Sequence, residues 1–330
     1  MTYYLSKLGY FLLTVWAAIT LNFLIPRLQP GDPAEIMVRK LQSQNGDAPL
    51  DPVQVQAIRA MLGAPEGSLW SQYLTYLDEL FHGNLGISFT YFPFPVTEVM
   101  AKALPWSIML IGITQVLAFV VGVLLGAYAA WRRNTMFDSV VSIGSTFIGN
   151  LQSFWIGLLI LLVFAYELGW FPASGGFGYT TKGMNWEYIA DVASHAFLPA
   201  LTLMVTAPIG FILGMRNTMV QTLGEDYIRL AQAQGLSERT VALKYGARNA
   251  LLPSVTGFAL SLGALIGGSV LVEQIYDYPG MGRLLTQATS NRDYPLMQGI
   301  LLFMIMAVLI ANLAADMLYG VLDPRARKAA

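Results

Sequence analysis

Residues 216 to 248 gather Arg216, Glu225, Asp226, Arg229, Glu238, Arg239, Lys244 and Arg248 into one polar segment, flanked on both sides by long uncharged runs. Mixed carboxylates and guanidiniums at this density suit ionic and hydrogen-bonded docking of a partner surface. The groups a reaction needs are missing. The chain has no cysteine, which excludes thiol nucleophiles, disulfides and zinc–thiolate clusters. It has two histidines, His82 and His195, and no G-x-x-x-x-G-K-[ST] phosphate loop, so ATP hydrolysis on this chain alone is excluded. His195 reads as a hydrogen-bonded interfacial surface group. No catalytic, cofactor-binding or metal-ligating constellation emerges.

The local physics of the segment is legible. Glu225 and Asp226 follow Gly224 and occupy a first turn, where the helix dipole favours acids. Tyr227, Leu230, Ala231 and Gln234 then mark one face at helical spacing. The helix stops at Gly235, suited to a left-handed C-terminal position, and Ser237 caps a second helix starting at Glu238 and ending before Pro253. The product is helix, elbow, helix. One reading is an amphipathic anchor at a membrane surface; the other is a lever held out to a partner.

Those elements must be positioned by a membrane bundle. The chain has 330 residues, of which 55% are hydrophobic and 12% charged, far too apolar for an ordinary soluble enzyme. Six uncharged windows, 8–26, 103–131, 139–166, 192–215, 249–272 and 294–315, each hold 19 or more residues, close to the roughly 20 helical residues that cross a bilayer. Six transmembrane helices follow, with both termini on one side. Eleven of the 19 basic residues fall on that side, giving it +5 against −6 opposite, so the positive-inside rule makes the termini cytoplasmic. The first window is longer than a signal-peptide core and lacks a small-residue cleavage site, so it is retained. A net charge of −1 offers no attraction to nucleic acid.

The organisation is therefore an N-terminal transmembrane helix at 1–26, an extracytoplasmic insertion at 27–102 with short helices near 51–62 and 68–81, a transmembrane core at 103–316 with a cytoplasmic loop at 216–252, and a cytoplasmic tail at 317–330. Glycines four apart (Gly122 and Gly126, Gly210 and Gly214, Gly263 and Gly267) open flat strips where another backbone approaches. Pro199 and Pro208 each remove a backbone donor from the fourth span and can kink it. The spans, cut at charged residues, contain no Asp, Glu, Lys or Arg, which disfavours a proton- or ion-driven carrier. An intramembrane enzyme would need paired carboxylates or His/Ser sets inside the spans, which are absent.

The string EDYIRLAQAQGLSERTVALKYGARNALLP resembles the cytoplasmic loop signature of binding-protein-dependent ABC importer permeases, in the form used by the dipeptide, oligopeptide and nickel group. Supporting strings stand in order along nearly the whole chain: PGDP at Pro30 to Pro33, HGNLGIS at His82 to Ser88, FD at Phe137-Asp138, YPGMGRL at Tyr278 to Leu284, NRDYP at Asn291 to Pro295 and LYGVLDPR at Leu318 to Arg325. The EAA triplet of the wider superfamily is not literal here; Leu230-Ala231 lie near its place. The resemblance is to the first of the two permease subunits. It implies an all-α integral membrane protein with the type I ABC importer permease fold, in a bacterial or archaeal cell membrane. Its implied partners are a homologous second permease subunit, two cytoplasmic ABC ATPase subunits that bind the ATP, and an extracytoplasmic substrate-binding protein. The ATPase-coupling surface would be Glu225, Asp226, Tyr227, Arg229, Ala231, Gly235, Leu236 and Arg239. Peptides are the commonest cargo of the group, with nickel chelates, glutathione and short oligosaccharides carried by related members. Aromatics of the outer segments, among them Trp70, Tyr73, Phe89 and Trp186, serve either packing or substrate passage.

Overall fold

A computed structural model describes residues 2–28, 38, 42, 51–53, 55, 68–178 and 185–322, with the backbone alone at 2–6, 25–28, 262–268, 316 and 318–322. The expected helix at 51–62 and the PGDP string lie outside the described residues, apart from 51–53 and 55 of the former. The regular elements are α1 (Thr2–Leu28), α2 (Leu69–Phe81), α3 (Val96–Trp131), α4 (Met136–Gly149) and α5 (Ser153–Ile160), which continues as π turns over Leu161–Glu167. Next come α6 (Trp186–Thr206), α7 (Pro208–Thr222), α8 (Asp226–Ala233) and the short α9 (Glu238–Thr240), which runs through π turns at Val241–Ala247 into α10 (Arg248–Gly268). Three helices close the chain: α11 (Val270–Ile275), α12 (Met281–Ser290) and α13 (Tyr294–Leu322). Helices dominate because hydrocarbon offers backbone groups no water, and a helix satisfies them within one segment.

Among the described residues, four stretches are long and apolar enough to cross a bilayer: Lys7–Leu24, Val96–Trp131, Trp186–Thr222 and Tyr294–Ala315. The paired α4 and α5 make a fifth if taken as one span. Their outer faces carry bare apolar side chains, including Ile143 at 70% exposure and Phe147 at 68%. In water such a surface would drive association; against lipid tails it is matched.

The window at 139–166 is not the straight span expected. It bends by 98° between α4 and α5. Asn150 N–H and Leu151 N–H turn back to the carbonyls of Phe147 and Ile148, Asn150 Nδ2 takes the Thr146 carbonyl at 2.6 Å, and Gln152 goes extended before α5 begins. A side-chain amide thus terminates the ladder in the middle of an uncharged run. Pro208 breaks the next pair, standing first in α7 where its missing N–H matters least, whereas Pro199 lies inside α6. The expected helix end before Pro253 does not occur: α10 runs through it. Proline removes one bond, to the Asn249 carbonyl, and neighbouring helices hold the rest of the turn in place.

Close backbone contact fixes α7 against α3, and an ion pair fixes it against α4. A Cβ on Gly122 would sit 2.6 Å from Phe211 Cβ, and one on Gly126 would collide with the Ile212 carbonyl and reach Met215 Cβ at 3.0 Å, so the two backbones touch. Gly210 and Gly214 have no such neighbours; Gly263 and Gly267 fall where only the backbone is described. At the adjoining helix ends, Arg216 donates from Nε and Nη2 to both oxygens of Asp138 at 2.7 and 2.9 Å, with Asp138 almost fully buried. The helical segments are therefore not free of ionisable groups, as expected from the windows; the pair sits where α4 and α7 overrun them.

Gly126→Ala is expected to lower thermal stability in detergent by about 1–3 kcal/mol through overpacking. Gly112→Ala, whose Cβ would meet nothing within 4 Å, should be neutral or slightly stabilising. Equal melting temperatures for the two variants would refute the contact. Arg216→Ala leaves a buried carboxylate without its cation and should cost about 3–5 kcal/mol, seen as loss of the monodisperse peak in size-exclusion chromatography; the double variant Asp138→Asn/Arg216→Gln should recover part of it.

Candidate functional site

The polar segment at 224–249 folds as a capped elbow. Helix α8 opens at Glu225, whose backbone is extended and whose side chain makes no cap bond, leaving its carboxylate free on the surface beside Asp226. It closes with two backbone bonds, Gly235 N–H to the Gln232 carbonyl at 2.9 Å and Leu236 N–H to the Ala231 carbonyl at 3.3 Å. That paired closure, the Schellman arrangement, requires a left-handed residue, and Gly235 supplies it at φ +78°. Ser237 then starts α9, its Oγ accepting from Thr240 N–H at 3.4 Å. The sequence-derived break and cap positions are where the chain turns.

Of the face that helical spacing marked, Tyr227, Leu230, Ala231 and Gln234, only Ala231 packs inward. Ile228 is fully buried and Ala231 nearly so, packed with Val241 and the half-buried Leu223 and Leu236. Tyr227 and Leu230 are exposed instead, at 41% and 62%. The elbow thus presents Glu225, Asp226, Tyr227, Arg229, Gly235 and Arg239 outward, while Ala231 and Leu236, expected on the same surface, form its underside. Their residue types explain it: small and branched apolar groups fill the gap between α8 and the π turns, and the period Ile228, Ala231 with Leu236 and Val241 was the available signal. Two further residues were not anticipated. Asn249 Nδ2 donates to Tyr227 Oη at 3.0 Å, tying α8 to the start of α10, and a Cβ on Gly246 would press on Leu223 Cδ2 at 2.9 Å.

Electrostatically the outer face is uncommitted. Asp226 and Arg229 pair at 3.4 Å with side chains 97% and 74% exposed, an arrangement of little net strength that a partner can exchange for its own charges. Continuity with the membrane body runs through α7, Gly224 and the cluster of Met215, Met219, Ala242 and Ala250.

The opposite end of the bundle is tied by buried carboxylates. Glu273, fully buried, accepts from Ser107 Oγ at 2.7 Å and from Gly282 N–H at 2.7 Å; burial raises its pKa, and these donors offset only part of the rise. The neighbouring Tyr278 phenol is pushed up to about 12 by burial, with the Glu273 carboxylate adding to the effect. Asp293, also fully buried, accepts from Ser88 Oγ at 2.5 Å, Thr90 N–H at 2.7 Å and Leu296 N–H at 3.2 Å. His195 is not the surface group expected: its side chain is only 10% exposed, with Nδ1 2.9 Å from the Asp191 carbonyl. The outer-segment aromatics divide, Tyr73 and Phe89 being buried while Trp70 and Trp186 stand exposed. Among the described residues no group of three metal-ligating side chains occurs.

Residues 122–328 match the family described as binding-protein-dependent transport system inner membrane component. The chain is 35% identical over 310 residues to the oligopeptide transport system permease protein AppB of Bacillus subtilis (strain 168), covering 92% of each. It is also 35% identical over 336 residues to the di/tripeptide transport system permease protein DppB of Pseudomonas aeruginosa (strain UCBPP-PA14), covering 97% of each. An elbow built on a membrane bundle and this similarity along almost the full length agree: the chain belongs to the family of binding-protein-dependent transport system inner membrane components.

Proposed function

We propose that the chain is one of two permease halves of an ATP-driven importer of di- or oligopeptides, worked by cytoplasmic ATPases through the elbow at 224–249. The observation that carries this reading is the division of the elbow into a packed underside, Ile228, Ala231, Leu236 and Val241, and an exposed charged face. A lever must be stiff within itself and uncommitted toward its driver, and that division supplies both properties. The peptide cargo is taken from the two relatives named above, which are peptide permeases by name.

In this reading α10, helical over 21 residues, is the sixth span beside the five stretches described, in the type I arrangement. The termini and elbow are cytoplasmic by the distribution of Lys and Arg. The insertion at 27–102 and the outer loops are extracytoplasmic and receive substrate from the binding protein. A homologous second permease completes the pathway, two ATPase subunits bind the ATP, and their closure moves the elbow and shifts the bundle between inward- and outward-facing packings.

In the reconstituted complex, Glu225→Ala with Arg229→Ala is expected to abolish stimulation of ATP hydrolysis by loaded binding protein while subunit assembly, read by co-purification, is retained. Stimulation at the wild-type level would contradict the docking role. Gly235→Val forces a β-branched residue into the left-handed region at a cost of about 1–2 kcal/mol or more and should uncouple hydrolysis from uptake; Gly235→Asn, which tolerates that conformation, should restore most of it.

A further inference from the structure

Midway along α3, Gln115 is 2% exposed; its Nε2 donates to Ser261 Oγ at 2.5 Å, and its Oε1 has no hydrogen-bond partner among the described residues. Ser261 spends its single proton on the Phe258 carbonyl at 2.7 Å and cannot satisfy that oxygen as well. Turning the amide over leaves a polar atom unpaired in either orientation. An unsatisfied buried amide is costly, roughly 1–3 kcal/mol, and is most so at the depth of a bilayer centre.

Gln115 borders a cavity of about 630 Å³ between α3, α6, α7, α10 and the start of α5 at Ser153. Its other polar lining groups include the hydroxyls of Thr206, Thr218, Ser254 and Ser261, and no charged side chain is among the lining residues. Gly210, Gly214 and Gly257 also line it, each with nothing within 4 Å of the place a Cβ would take, so bare backbone keeps the space wide. The volume lies in the range that holds a small ligand. A wall of this chemistry does not select a terminal charge or a particular side chain; Gln115 Oε1, buried behind it in this packing, becomes an acceptor for a donor that every peptide carries once its side chain turns into the cavity.

We propose that Gln115 takes a backbone N–H of the passing peptide, making this cavity a station on the path where cargo is held through its amides irrespective of side chains. The inference rests on the peptide-importer reading and adds a residue and an atom to it.

The test uses the complete complex in proteoliposomes with its binding protein, transporting trialanine and trialanine methylated on its amide nitrogens. The binding protein's own preference acts equally in wild-type and Gln115→Leu complexes and cancels between them. The wild-type ratio of trialanine to methylated uptake should exceed that of Gln115→Leu by about three- to tenfold, the worth of one hydrogen bond; an unchanged ratio overturns the proposal and leaves the importer reading standing. Because the natural chain has no cysteine, single substitutions Gly210→Cys and Gly257→Cys give a second readout that does not depend on altering Gln115. Trialanine under turnover should slow their reaction with a water-soluble thiol reagent, without affecting Gly112→Cys or Gly144→Cys, which have equal space and do not line the cavity. Unslowed labelling at both cavity positions also overturns it, and absence of trialanine uptake by the wild-type complex takes down both readings.

Discussion

Backbone-to-backbone contact between α3 and α7 at Gly122 and Gly126 is the constraint on which the remaining geometry rests. Lipid tails are as apolar as leucine, so no hydrophobic effect pulls two membrane helices together, and their association relies on close dispersion contact and a few polar bonds. Two missing side chains on α3 allow that closeness. Just beyond, Asp138 and Arg216 add a two-pronged charge-assisted bond that also brings in α4. Helix α7 leads through Gly224 into the elbow, so the position of the exposed charges relative to the bundle is inherited from this contact.

Polar chemistry in the molecule is concentrated at the joints between helices. Asp138, Glu273 and Asp293 are each buried, and each accepts backbone N–H groups near the start of a helix: Asn134 before α4, Gly282 in α12 and Leu296 in α13. Carboxylates at helix N-termini are favoured by the unpaired amides and the dipole there. Hydroxyls of Ser88, Ser107 and Ser142 complete the shells, so burial of three acids is compensated by three different segments of chain. The strings FD, YPGMGRL and NRDYP are in this light the sequence traces of three joints. Between them the helices meet mainly through apolar clusters, with a few further polar bonds such as Thr202 to Tyr276.

The elbow follows the same economy on a smaller scale. Its shape is set by backbone bonds around Gly235 and by the Ser237 cap, its seating by Ile228 and its apolar neighbours, and its outward charges by default. Shape and surface are thus separable. Gln115 stands apart from this pattern, being a polar group at the middle of a long helix with one atom unmatched, beside the one region where the glycines of α7 face open space rather than another backbone.

Much of this was legible in the residues alone, and the parts that were not share a cause. Helical spans, the left-handed turn at Gly235 and the cap at Ser237 are decided by composition and by φ preferences within a few residues, which a linear reading captures. The 98° bend at Asn150, the passage of α10 through Pro253, the inward face of α8 and the burial of His195 all depend on which groups meet across helices. An asparagine in an apolar run is ambiguous until its amide is seen to take the Thr146 carbonyl, and glycine pairs are ambiguous until one, Gly122 and Gly126, meets a backbone and another, Gly210 and Gly214, lines a cavity. The sequence by itself determined that the chain is a helical membrane protein with a glycine-hinged polar loop, because those properties are local. Only the tertiary structure decided which charges are buried, which glycines touch and where an amide is left unpaired, because each of these is a relation between segments far apart in the chain.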